Sequence, residues 1–112
     1  MGASADGLQV LRRDGKWIPI TALPEQIVVN VGDMLERLTN DKLKSTIHRV
    51  VNPSKEAMGT SRFSIPFFMH PRMSMDLSSL PECIDETNPK KHEDIKAGEF
   101  LIQRLEEIGL KK

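Results

Sequence analysis

Three side chains of this 112-residue chain stand where their types and spacing could do chemistry. His48 lies in Lys44-Ser45-Thr46-Ile47-His48-Arg49-Val50-Val51, a run rich in β-branched residues. As a strand, that run puts Thr46, His48 and Val50 on one face. A neutral imidazole so placed can ligate a divalent metal. After a loop comes Arg62-Phe63-Ser64, and the period of two puts Arg62 and Ser64 on a shared face. The planar guanidinium matches a carboxylate with two parallel hydrogen bonds, and a hydroxyl two residues along sits beside it.

Each of these residues also has a plainer reading. A lone strand histidine is commonly a hydrogen-bonded or half-exposed residue, and an arginine with a nearby serine can be a polar pair on an edge strand. Other candidates are weaker. His92-Glu93-Asp94 spells the one His-x-Asp triplet of the chain, but Lys90, Lys91, Glu93 and Asp94 make its surroundings read as a solvated connector and helix entry. Asp33 follows Gly32 just before a short helical turn and reads as the cap of that turn. Cys83 has no basic cluster beside it to make a thiolate, so it does not read as a nucleophile. Met34, Met58, Met69, Met73 and Met75 read as packing and loop residues.

The positioning elements follow from pattern. Residues 7–20 read as a hairpin, with Leu8-Gln9-Val10-Leu11 and Lys16-Trp17-Ile18-Pro19-Ile20 joined through Asp14-Gly15, a strong turn signal. Residues 26–31, between Pro24 and Gly32, predict a buried strand. Residues 32–39 predict one helical turn, reversed at Asn40-Asp41. Strands are further expected at 44–51 and 62–69, and a weaker one at 73–77. Leu101, Leu105 and Ile108 recur at helical spacing, with Gly109 where a C-cap belongs. The result is one domain over 1–112, with strands within 7–78, a connector at 79–95 and a helix at 96–110.

Composition excludes several classes. Sixteen basic and sixteen acidic residues cancel, and the basic ones are interspersed with acids, which leaves no stripe for nucleic acid. One cysteine removes any intrachain disulfide or thiolate zinc cluster and fits a reducing, cytoplasmic setting. No apolar run approaches the ~20 residues that span a bilayer, and Met1-Gly2-Ala3-Ser4-Ala5-Asp6-Gly7 lacks the form of a signal peptide. The five aromatics, one Trp and four Phe, predict a small or incomplete core.

A mononuclear iron site takes two histidines and one carboxylate on one octahedral face and leaves room for a bidentate 2-oxo acid and dioxygen. His48 followed by Arg62-x-Ser64 has the order and residue types of part of such a site. The runs Gly7-Leu8-Gln9-Val10, Asp14-Gly15-Lys16-Trp17-Ile18-Pro19, Val29-Asn30-Val31-Gly32-Asp33-Met34-Leu35-Glu36-Arg37-Leu38-Thr39-Asn40, Lys44-Ser45-Thr46-Ile47-His48-Arg49-Val50 and Arg62-Phe63-Ser64-Ile65-Pro66-Phe67-Phe68 occur in that order over nearly the whole chain. Together they make the chain resemble the Fe(II)/2-oxoglutarate-dependent oxygenases of the isopenicillin N synthase-like group. The resemblance implies a mainly β fold, part of a double-stranded β-helix (jelly roll), with a C-terminal α-helix. It also implies that His48 ligates Fe(II), that Arg62 and Ser64 bind the carboxylate of 2-oxoglutarate, and that dioxygen and a small organic molecule are the other substrates.

One departure matters. The family's remaining ligands come from a His-x-Asp or His-x-Glu motif ahead of the Gly-Leu-Gln-Val segment, and only Met1 to Asp6 stand there. The chain is therefore expected to be the C-terminal half of a catalytic domain, inactive alone. The rival expectation is a non-catalytic truncated fragment or half-barrel binding module; the substrate and the oligomeric state are not legible.

Overall fold

The computed structural model describes residues 7–52, 56, 59 and 61–110. They fall into two compact units, one drawn from residues 1–30 and 46–68, the other from 31–45 and 69–112.

The first is a sheet unit. Strand β1 (Leu8–Leu11) lies in the middle of a three-stranded antiparallel sheet, between β2 (Trp17–Pro19) and β3 (His48–Val50). The predicted hairpin is present. Gly15 takes φ +83, which a side chain would oppose, and its N–H donates to the Arg12 carbonyl at 2.9 Å. Asp14 accepts from the Lys16 N–H and pairs with the Arg12 guanidinium, which holds its carboxyl below the usual carboxylate range. Register sets the faces: Ile18, Val10 and His48 align across the sheet, as do Pro19, Gln9 and Arg49.

The sheet is smaller than the sequence predicts. Residues 26–31 are not a buried strand: they join no ladder, and Ile27 and Val29 are 81% and 85% exposed. Residues 62–69 likewise join no ladder, and Phe63, Ile65, Phe67 and Phe68 are exposed. Of 44–51 only His48–Val50 is strand, extended by single bonds from Leu11 N–H to the Ile47 carbonyl and from Val51 N–H to the Gly7 carbonyl. The physical reason is shared. β-branched and aromatic residues favour a strand only when a neighbouring edge takes their hydrogen bonds and a second layer takes their side chains.

The other unit is helical and has the core. Leu77, Ala97 and Phe100 are buried together, with Met34 and Ile95 packed against them. Helix α1 (Asp33–Leu38) occupies the predicted turn. Its N-cap is Gly32, with no side-chain cap bond, so Asp33 does not cap it as expected. Asp33 is instead the first helical residue, where a negative charge suits the helix dipole, and it lies 3.7 Å from Arg104 Nε. Asn40 and Asp41 make the predicted reversal at φ 47 and 64. The Asn40 amide is fully buried: it donates to the Asn88 and Pro89 carbonyls at 3.1 and 3.0 Å and accepts the Lys91 N–H at 2.9 Å. The 73–77 segment forms only an isolated bridge, Asp76 to Lys96. Helix α2 (Ala97–Glu107) ends as predicted: Gly109 takes φ +74, and the Gly109 and Leu110 N–H groups bond back to Glu106 and Leu105.

Candidate functional site

All three candidate residues belong to the sheet unit. β3 positions His48, which pairs with Val10 of β1 and is exposed. Its Nδ1 lies 3.1 Å from the Thr46 carbonyl. A neutral imidazole against a carbonyl must carry its proton on Nδ1, so the lone pair is on Nε2, free of that contact and suited to a metal. On the opposite face Arg49 donates to Gln9 Oε1 at 3.0 Å and lies over the Trp17 ring at 3.9 Å, so one side chain ties β3 to β1 and to β2. This brace was not anticipated, although an arginine and a tryptophan on strands flanking β1 were a readable signal once the register was known.

Arg62 is half-buried, and its Nη1 donates to the exposed Ser64 Oγ at 3.4 Å, so the fork and the hydroxyl are brought together. Arg62 also runs beside Gly7: a β-carbon built on that glycine would lie 3.4 Å from Nε. β1 thus relates the two parts, with His48 opposite Val10 and Arg62 beside Gly7, three positions along. At ~3.4 Å per residue, those anchor points are about 10 Å apart.

The other histidines are otherwise placed. His92 Nε2 lies 2.6 Å from Asp41 Oδ1 and is half-buried, a departure from the solvated surface expected, while Asp94 pairs with Lys90 at 2.5 Å. The His92-Glu93-Asp94 triplet is therefore divided between two partners. Among the described residues no three His, Cys, Asp or Glu side chains come together to hold a metal. These residues supply one imidazole and do not by themselves fit Fe(II), which needs three protein ligands on one face. The guanidinium and hydroxyl do fit the carboxylate end of 2-oxoglutarate. Among the described residues no helix is long and apolar enough to cross a membrane.

Residues 1–71 match the profile of the 2OG-Fe(II) oxygenase superfamily, a stretch that contains His48, Arg62 and Ser64. The chain is 39% identical over 102 residues to the 2-oxoglutarate-Fe(II) type oxidoreductase ppzC of Metarhizium majus, covering 91% of this chain and 26% of the relative. It is 33% identical to flavonol synthase/flavanone 3-hydroxylase of Petunia hybrida, covering 91% and 28%. Among solved structures, a 2OG-Fe(II) oxygenase family protein from Caulobacter crescentus is 52% identical with a TM-score of 0.87, covering 92% of this chain and 34% of that one. A full-length Neurospora crassa protein in complex with alpha-KG and thymine is 37% identical with a TM-score of 0.78, covering 92% and 31%. This chain thus spans about a quarter to a third of the length of these relatives. The chain, a small sheet with a C-terminal helix, is similar over most of its length to these structures, which have a jelly-roll fold, in keeping with the expected fold class. The chain belongs to the 2OG-Fe(II) oxygenase superfamily.

Proposed function

We propose that this chain is the co-substrate-binding part of an Fe(II)- and 2-oxoglutarate-dependent dioxygenase that oxidises a small organic molecule. Arg62 and Ser64 hold the far carboxylate of 2-oxoglutarate, and His48 offers Nε2 as one iron ligand. The observation that carries this reading is the Arg62–Ser64 pair at 3.4 Å, in the same compact unit as His48. The other two ligands that Fe(II) needs would be supplied by polypeptide outside the described residues. The small-molecule class is supported by the flavanone named for the Petunia relative and by the thymine in the Neurospora structure. A reducing, cytoplasmic setting is supported by the single cysteine, and the cancelled charge argues against nucleic acid.

The test replaces the matching third of the Caulobacter relative with this chain and measures succinate formed from 2-oxoglutarate. The chimera should turn over, while the 112-residue chain alone should bind Fe(II) weakly and form none. In the chimera Arg62→Lys should raise the 2-oxoglutarate requirement about ten- to a hundredfold at unchanged iron affinity, because lysine keeps the charge and loses the second prong; a charge-assisted bond is worth ~1.5–3 kcal/mol. His48→Ala should instead lose iron. An Arg62→Lys chimera with normal co-substrate dependence and lost iron binding would show the two roles to be misassigned. One observation favours a second reading, a non-catalytic binding module: the described residues gather no metal-binding group of three. A folded chimera that forms no succinate would select it.

A further inference from the structure

We propose that Arg49 is a positioning residue for His48, the side chain that fixes the register of β3 and with it the face and the height at which the imidazole stands. The inference rests on the reading of His48 as an iron ligand, and adds a residue that need touch no ligand. β3 is a three-residue edge strand whose side chains are all exposed, so no buried apolar contact selects its pairing with β1. The ladder does not select it either. Its bonds, which include those from the Leu11 N–H to the Ile47 carbonyl and from the Val51 N–H to the Gly7 carbonyl, recur with a period of two, so a slip by two residues remakes bonds of the same kind. Such a slip would carry the imidazole about 7 Å along β1, and a slip by one would turn it to the opposite face. Arg49 discriminates where the backbone does not. Its Nε donates at 3.0 Å to Oε1 of Gln9, the residue directly opposite, and its guanidinium carbon lies 3.9 Å from the ring centroid of Trp17, which is opposite Leu11. The side chain therefore runs obliquely across β1 from the Gln9 position to the Leu11 position, straddling Val10, the partner of His48, on the face away from the imidazole. Either slip takes Gln9 from opposite Arg49. Trp17 is a fixed mark for this purpose, because the Asp14-Gly15 turn holds β2 to β1. Charge does not explain the arrangement, since a guanidinium near an imidazole-bound cation repels it.

The test uses the chimera in which this chain replaces the matching third of the Caulobacter relative. In the metal-free chimera, NMR follows the cross-strand contact between the α protons of Val10 and His48, which lie close because that pair falls between hydrogen-bonded ones. Fe(II) alone is then titrated without oxygen against a competing chelator. Arg49→Gln and Trp17→Ala should each weaken the α-proton contact and weaken Fe(II) binding about five- to tenfold, the worth of a cation–ring contact and a side-chain hydrogen bond. Combined, they should cost no more than about twofold beyond either alone, because both break one brace. Arg49→Lys, which keeps a cation over the ring and loses the Nε donor, should return binding to within about threefold of the original. An Arg49→Gln chimera that keeps the α-proton contact, or that binds Fe(II) as tightly as the original or more tightly, would overturn the proposal; tighter binding is what removal of a bare positive charge gives. If the unaltered chimera binds no Fe(II), or His48→Ala leaves its affinity unchanged, the reading of His48 falls and this inference with it. Dependence on His48 without dependence on Arg49 removes this inference alone. Should Trp17→Ala not fold, the two variants at the exposed Arg49 decide by the same criteria.

Discussion

The two compact units differ in what holds them. Every described residue that is buried, apolar or polar, belongs to the helical unit: Leu77, Ala97, Gly98 and Phe100 with Thr39, Asn40 and Ser79. The sheet unit buries none fully and leaves Phe67 86% exposed. It is held by ladder bonds, the Asp14-Gly15 turn and the Arg49–Trp17 stack. The residues proposed to meet small molecules are thus carried by hydrogen bonding and register, whereas the better-packed unit carries none of them. Precision of a paired strand, not depth of a core, sets the placement of His48.

Removing core atoms should sharpen that contrast most. Phe100→Ala should cost about 3–5 kcal/mol, because its ring fills the one buried cluster among the described residues and also lies under the Arg37 and Arg104 guanidiniums. Denaturant unfolding checks the size, and amide exchange should place the loss in residues 31–45 and 69–110. A smaller effect, about 1 kcal/mol, is expected for Arg49→Ala, which removes the stack on Trp17 and the bond to Gln9. It should appear as faster exchange of the β1 and β3 amides; a loss as large as that of Phe100→Ala would mean that the sheet has a core after all. The smallest effect is set by pH. The Asp41 carboxyl is held below its ordinary value, first by the hydrogen bond with His92 and then by Lys44. A lowered carboxylate contributes stability that is complete above the ordinary aspartate value, about 3.9, and is lost as pH falls through the folded value. Urea midpoints should therefore decline below about pH 4, less steeply in Asp41→Asn.

Local chemistry was legible from sequence and long-range pairing was not. The Asp14-Gly15 hairpin, the Asn40-Asp41 reversal and the Gly109 helix end each depend on residues within one turn of the chain, and each is present. Residues 26–31 and 62–69 have the composition of strands, but a strand needs a partner that composition cannot supply, and both lie outside the ladders. The same limit applies to the site. His48, Arg62 and Ser64 were picked out by type and order, whereas Gly7 beside Arg62 is a contact between residues distant in sequence and invisible until the chain is folded. Asp33 shows a further cause: two neighbouring residues competed for one cap, and Gly32 took it.

The strand order β2-β1-β3 also carries a kinetic meaning. β1 and β2 meet across a tight turn, a closure of microseconds, while Arg49 must find Gln9 across 40 residues of chain. Loop-closure entropy rises with that separation, so β3, which unlike the equally short edge strand β2 has no tight turn holding it to β1, is expected to dock after the hairpin forms and to detach before it opens. The imidazole of His48 therefore rides on the last strand to arrive and the first to leave. Its lifetime in place is a dwell time set by three residue pairs: Leu8 with Val50, Gln9 with Arg49 and Val10 with His48 itself.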